Sequence, residues 1–244
     1  MFKSLEECIK YSVYKAGNFP RAIEIPWLLE QITPITTKSG IYKRILDIGC
    51  CWSGLPFYLA KCGFDVTGID ILSMKDNLTE HNPQPQDKEF LEGGINFNFI
   101  QCNTKELPFE DNSFDIIYSI SVIEHLNNKF YDYWYDRHNS VKEGKGDFSY
   151  EDWKTKCNFG KPKEDIRKLA LSEMYRVAKD KIILTFPLLK KEDNDLVSLD
   201  EFNSFPRFTF DNLAYRKDLL EKAKEILPKF KPINVTDIGV VICK

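Results

Sequence analysis

With 244 residues, 43% of them hydrophobic, the chain can bury one substantial core, which favours a single α/β domain carrying insertions over two independent units. A net charge of −3 and a pI near 5.8 disfavour nucleic acid as a partner, because phosphate capture needs a concentrated cationic face. Seven cysteines at irregular spacing give neither a disulfide framework nor a repeated C-x-x-C zinc pattern, so they read as reduced thiols and no metal is expected.

The opening Met1-Phe-Lys-Ser-Leu-Glu-Glu-Cys8 lacks a basic segment followed by a long apolar run, and no later stretch approaches the ~20 apolar residues that span a bilayer. A cytoplasmic protein without a membrane span is the expectation. Two helices follow, Leu5 to Lys15 and Arg21 to Ile32, separated by Gly17-Asn18-Phe19-Pro20 and closed by Thr33-Pro34; together they make an N-terminal cap over 1–40. Arg44-Ile-Leu-Asp-Ile48 is a short apolar run ended by Gly49, suited to a buried strand. Leu55 to Cys62 is helical in character, and Phe64 to Ile69 is the next strand, so this stretch has the length of a parallel crossover.

Further strands are expected at Ile95 to Ile100, Phe114 to Ser119, Lys181 to Phe186, Ile233 to Val235 and Val240 to Cys243, with helices between most of them. That alternation predicts an open, mostly parallel sheet with helices on both faces, which binds ligands beyond the carboxyl ends of its strands. Two stretches exceed ordinary connections: Asn127 to Asp165, rich in aromatic residues, and Leu188 to Arg207.

The chemistry concentrates at the first turn. Asp47-Ile-Gly49-Cys50-Cys51-Trp52-Ser53-Gly54 must bend sharply from strand to helix, and a bare Gly49 lets a ligand approach the backbone. Open amides at the helix start would favour a carboxylate. The spacing is not that of a phosphate loop. Asp70 follows about 20 residues later at a strand end, the place from which a carboxylate accepts hydrogen bonds from ribose hydroxyls. A nicotinamide dinucleotide and S-adenosylmethionine both satisfy that pattern.

The blocks Ile45-Leu-Asp-Ile-Gly-Cys50, Leu59-Ala-Lys-Cys-Gly-Phe-Asp-Val-Thr-Gly-Ile-Asp70 and Leu107-Pro-Phe-Glu-Asp-Asn-Ser-Phe-Asp115 are followed by Ile116-Ile-Tyr-Ser-Ile-Ser-Val-Ile-Glu-His125, Glu173-Met-Tyr-Arg-Val177 and Ile182-Ile-Leu-Thr-Phe-Pro187. In that order they resemble class I S-adenosylmethionine-dependent methyltransferases of the type 11 and type 12 groups. The resemblance implies a Rossmann-like, seven-stranded, mostly parallel sheet with helices on both faces, an N-terminal helical cap and an aromatic-rich insertion. The cofactor-binding core would be 43–187, with the insertion at 127–165 and acceptor-side elements over 188–244.

By the same resemblance Asp47, Gly49, Cys50, Cys51 and Ser53 would hold the methionine portion of S-adenosylmethionine, Asp70 the ribose, Asn103 and Thr104 the adenine edge, and Ser119 the wall nearest the methyl group, with Ile71 also in contact with the cofactor. The family usually has glycine where Cys51 and Ser53 stand and aspartate where Asn103 stands, which predicts a reshaped cofactor pocket. His125, expected at the start of a helix, is the candidate general base, since an imidazole titrates near neutrality. Trp134, Tyr135 and Trp153 of the insertion are candidates for stacking on a small-molecule or glycan acceptor. Pro20 to Trp27 is similar to a segment of glycan-associated methyltransferases, in which Arg21 would meet the cofactor carboxylate or an anionic acceptor. Two alternatives stay open: a non-catalytic binding protein on the same fold, and a nicotinamide-dependent oxidoreductase.

Overall fold

The computed structural model describes residues 2–16, 20–32, 44–50, 53–74, 84–91, 97–126, 136–137, 140, 143–146, 166–185, 210–211, 217–227 and 239–243. The elements in chain order are α1 (Leu5–Ala16), α2 (Arg21–Ile32), β1 (Arg44–Ile48), α3 (Leu55–Lys61), β2 (Asp65–Asp70), α4 (Pro85–Leu91) and β3 (Asn98–Gln101). There follow β4 (Phe114–Ile120), a 3-10 turn at Ile123–His125, α5 (Ile166–Val177), β5 (Ala178–Thr185), β6 (Phe210–Asp211), α6 (Lys217–Ile226) and β7 (Gly239–Cys243). The strand expected at Ile233 to Val235, the segment Leu188 to Arg207, and the aromatic residues Trp134, Tyr135 and Trp153 lie outside the described residues.

The strands form one sheet in the order β3-β2-β1-β4-β5-β7-β6. Strands β1 to β5 pair in parallel, β7 runs antiparallel to β5, and β6 antiparallel to β7. The chain steps outward from β1 through β2 to β3, then crosses back to lay β4 on the other side of β1. The strand order therefore reverses between β1 and β4, and sheets of this kind bind ligands beyond the carboxyl ends of the strands at such a reversal.

Central parallel strands are covered on both faces, which is why they read as unbroken apolar runs. Alternate side chains divide between two cores. Ile45, Ile116 and Ile183 join Val13, Ile23, Trp27, Leu28, Leu59 and Ala223 on the face of α1, α2, α3 and α6. Leu46, Ile117 and Ile182 join Leu171, Met174 and Val177 on the face of α5. The expected fold class holds, with helices on both faces. No helix among the described residues is long and apolar enough to cross a membrane.

Boundaries differ from the sequence expectation in two places. Strand β3 runs Asn98–Gln101, pairing with Thr67 to Asp70, so it sits later than Ile95 to Ile100. Strand β5 begins at Ala178, directly after α5, because a register irregularity between Phe114 and Ile116 lets Ala178 pair with Phe114 ahead of Lys181. The blocks Leu107 to Asp115 and Glu173 to Val177, far apart in the chain, meet through Arg176. Its guanidinium donates to the carbonyls of Leu107 and Phe109 and pairs with Asp111 and Glu173, while Glu173 accepts the Leu107 amide.

Candidate active site

The turn after β1 is held by the sheet itself: the amides of Gly49 and Cys50 both donate to the carbonyl of Ile69, at 2.9 and 3.0 Å. Gly49 has φ +71, and the space a Cβ would take there is occupied by Val122. The bare position thus admits the protein's own Val122 side chain on the side where a Cβ would stand. The helix start that follows is also occupied. The Ser53 hydroxyl accepts the Leu55 amide at 3.2 Å, and Ser12 from α1 accepts the Gly54 amide at 2.9 Å, so these amides are not open to a carboxylate. Cys51 and Trp52 lie outside the described residues.

Asp47 is only 1% exposed, and its Oδ2 has no hydrogen-bond partner among the described residues. Burial drives its pKa well above the ordinary 3.8, the facing Tyr118 hydroxyl and Arg21 favour the charged form, and Asp70 opposes it. The Tyr118 hydroxyl itself completes no hydrogen bond of normal geometry among the described residues. Beside them the Cys50 thiol is buried and kept protonated by that burial, then by Asp47 and Asp70; it fills space against Gly68.

Asp70 closes β2, nearly buried, with Oδ1 accepting the Leu72 amide at 2.9 Å and its carbonyl accepting the Cys102 amide. Ile71 is half-buried, and its carbonyl accepts the Gln101 side chain. Past β3, the Asn103 carbonyl oxygen accepts the Lys105 amide at 3.1 Å, and Thr104 is buried with a hydroxyl unpartnered among the described residues. Ser119 corrects another expectation. It is wholly buried and its hydroxyl donates to the carbonyl of Ile48 at 3.0 Å, so it ties β1 to β4 beneath the cleft instead of lining it.

On the third side of the site the sequence resemblance reached Arg21 but not the residues that hold it. Arg21, the first residue of α2, donates from an Nη to Glu24 at 2.5 Å, and Glu24 accepts from the hydroxyls of Ser121 and Thr185 at 2.5 and 3.0 Å. All four are buried, and the Arg21 Nε has no partner among the described residues. For Glu24 the signal was its i, i+3 spacing from Arg21; Ser121 and Thr185 stand 97 and 161 residues from Glu24 and gave none.

His125 sits in a lone 3-10 turn, with Leu126 extended after it, instead of opening a helix. Its ring is exposed at the surface, yet crowding by the surrounding protein, then the charges of Arg21 and Arg167, hold its pKa below the ordinary 6.5. Trp134, Tyr135 and Trp153 lie outside the described residues.

Along one sheet edge there is thus a buried carboxylate for a cation, a buried guanidinium for an anion, a strand-end carboxylate for a diol and a spare hydroxyl. That set fits a zwitterionic amino-acid group joined to a nucleoside. The fold is that of an open, mostly parallel α/β sheet, and these groups gather near its strand-order reversal.

A model of the methyltransferase domain family matches residues 46–143. Over 106 residues the chain is 30% identical to a ubiquinone biosynthesis O-methyltransferase of Rickettsia akari (strain Hartford), covering 43% of this chain and 39% of that one. Over 102 residues it is 36% identical to phosphoethanolamine N-methyltransferase 3 of Arabidopsis thaliana, covering 41% of this chain and 19% of that one. The chain covers less than half the length of these curated relatives. Phosphoethanolamine N-methyltransferase 2 of Haemonchus contortus, solved with S-adenosyl-L-methionine, superposes with a TM-score of 0.51 over 98% of this chain and 57% of that one; at 16% identity this is a likeness of fold alone. Over residues 46–143 the chain is thus similar to the methyltransferase domain family, and the relatives it resembles there are methyltransferases.

Proposed function

We propose that this protein transfers a methyl group from S-adenosylmethionine to an oxygen or nitrogen of a small-molecule or glycan-type acceptor. The observation that carries the reading is the row of buried polar groups on one sheet edge: Asp47 Oδ2 and Arg21 Nε without partners among the described residues, Asp70 at the end of β2, and the Thr104 hydroxyl beyond β3. Asp47 would hold the ammonium of the methionine portion, Arg21 its carboxylate, Asp70 the ribose, and Asn103 and Thr104 the adenine. The relatives are named for an oxygen and a nitrogen acceptor, which supports a small molecule without choosing the atom.

When bound, S-adenosylmethionine supplies an electrophilic methyl group on a positively charged sulfur. Acceleration of such a transfer rests largely on holding the acceptor in line with that group, so the chain's first task is positioning. A neutral His125 at the cleft mouth would take the proton from an acceptor hydroxyl or amine on an imidazole nitrogen. Trp134, Tyr135 and Trp153 are assigned to acceptor contact on sequence grounds alone.

Calorimetric titration with S-adenosylmethionine and S-adenosylhomocysteine, beside a nicotinamide dinucleotide control, tests the reading. Measurable binding is expected for the first two only, and Asp70→Ala should abolish it. Binding of the dinucleotide alone, or of nothing, would overturn the assignment.

A further inference from the structure

The Arg21–Glu24 pair is an odd way to fasten a helix to a sheet. A buried ion pair carries a desolvation penalty that an apolar contact of equal volume avoids, and here one guanidinium nitrogen has no partner among the described residues. Trp27, Ile23 and Leu28 already bury the apolar face of α2 against the sheet. Fastening alone does not require the pair.

Its geometry is that of a mount. Glu24 Oε2 takes Arg21 at 2.5 Å, while Oε1 takes the hydroxyls of Ser121 at 2.5 Å and Thr185 at 3.0 Å. With both oxygens engaged the carboxylate plane is fixed, and so is the guanidinium resting on it. The far anchor is itself constrained. Ser121 has φ +48, a conformation rare for a residue with a side chain, and its amide is held by the Thr185 carbonyl at 2.8 Å. The next residue, Val122, fills the space over Gly49, and the turn then leads to His125. The Arg21 charge is felt at both Asp47 and His125, so it lies near each of them.

We infer that Glu24 is a positioning residue which, acting through Arg21 and Ser121, pre-aims the guanidinium at the carboxylate of an amino-acid-bearing nucleoside; this rests on the cofactor reading above. A ligand that has the carboxylate feels Glu24, and one that lacks it does not.

The test titrates the full chain with S-adenosylhomocysteine and with 5′-methylthioadenosine, which keeps the adenosine and sulfur but has no amino-acid group. Glu24→Gln is expected to weaken S-adenosylhomocysteine about tenfold to a hundredfold, as for loss of a charged hydrogen bond, with methylthioadenosine unchanged. Arg21→Gln should give the same split, and the double variant should be no worse than Arg21→Gln alone. Ser121→Ala, which spares the Arg21 contact and guards against misfolding of the Glu24 variant, should give a smaller loss for S-adenosylhomocysteine only. Equal weakening of both ligands, or unchanged affinity for both with a lower Tm, would make Glu24 a mere helix anchor and overturn the inference. Wild-type protein that binds neither ligand would instead sink the cofactor reading itself.

Discussion

Two buried polar clusters join the N-terminal helices to the sheet domain, and they differ in whether they are finished. In the first, α1 meets α4. Asp87 accepts the Tyr11 hydroxyl on Oδ1 at 2.7 Å, and Lys15 Nζ and the Gln84 amide on Oδ2, each at 2.7 Å. Stacked Phe57 and Phe90, with Phe2 and Tyr11 against Phe90, close around it. In the second, α2 meets the ends of β1, β4 and β5. There Asp47 Oδ2, the Tyr118 hydroxyl and Arg21 Nε have no partner among the described residues. The first cluster is complete within the described residues; the second keeps polar atoms without partners there, at the carboxyl edge of the sheet where the proposed cofactor would sit.

The contrast breaks most visibly at Asp87. Asp87→Ala removes every acceptor of the first cluster, and a loss of about 3–5 kcal/mol is expected from urea denaturation. Cofactor affinity of the protein that stays folded should not move. The second cluster should behave in the opposite sense. Burial raises the Asp47 pKa above 3.8, so its contribution to stability is present below that value and is lost as pH rises through the raised one. Asp47→Asn is therefore expected to leave the unliganded Tm at neutral pH unchanged or higher, while calorimetry shows S-adenosylmethionine affinity falling about tenfold to a hundredfold.

Smaller effects sharpen the same comparison. Thr104→Val removes a buried hydroxyl with no partner among the described residues, so stability should hold while affinity drops roughly two- to fivefold, the scale of one neutral hydrogen bond. The smallest is a shift in pH dependence. If His125 is the base, the acid limb of the methyl-transfer rate lies below pH 6.5. Arg21→Gln, by removing a neighbouring positive charge, should move that limb upward.

Much of the frame was legible because it is local. Arg44 to Ile48 is a mostly apolar run followed by glycine, and a second such run closes on Asp70 one helix later, so the two strands and the carboxylates near their ends could be placed from pattern and spacing. What was not legible depends on long-range contact. Nothing near Glu24 in the chain announces Ser121 or Thr185, nothing near Gly49 announces Val122, and Ser119 reads as a cleft residue until Ile48 is seen to take its hydroxyl. Helix α4 and the two-residue β6 carried no distinct pattern of their own.

Strand β7 lies between β5 and β6, antiparallel to both, although it follows them in the chain. During synthesis, then, β6 emerges with its neighbour still unmade, and the flank of β5 stays open until residues 239–243 arrive. They fit tightly: a side chain at Gly239 would collide with the Leu184 carbonyl and press on the Trp27 ring of α2. Closing this flank of the sheet thus waits for a strand that comes after both of its neighbours and packs against the helix that carries Arg21.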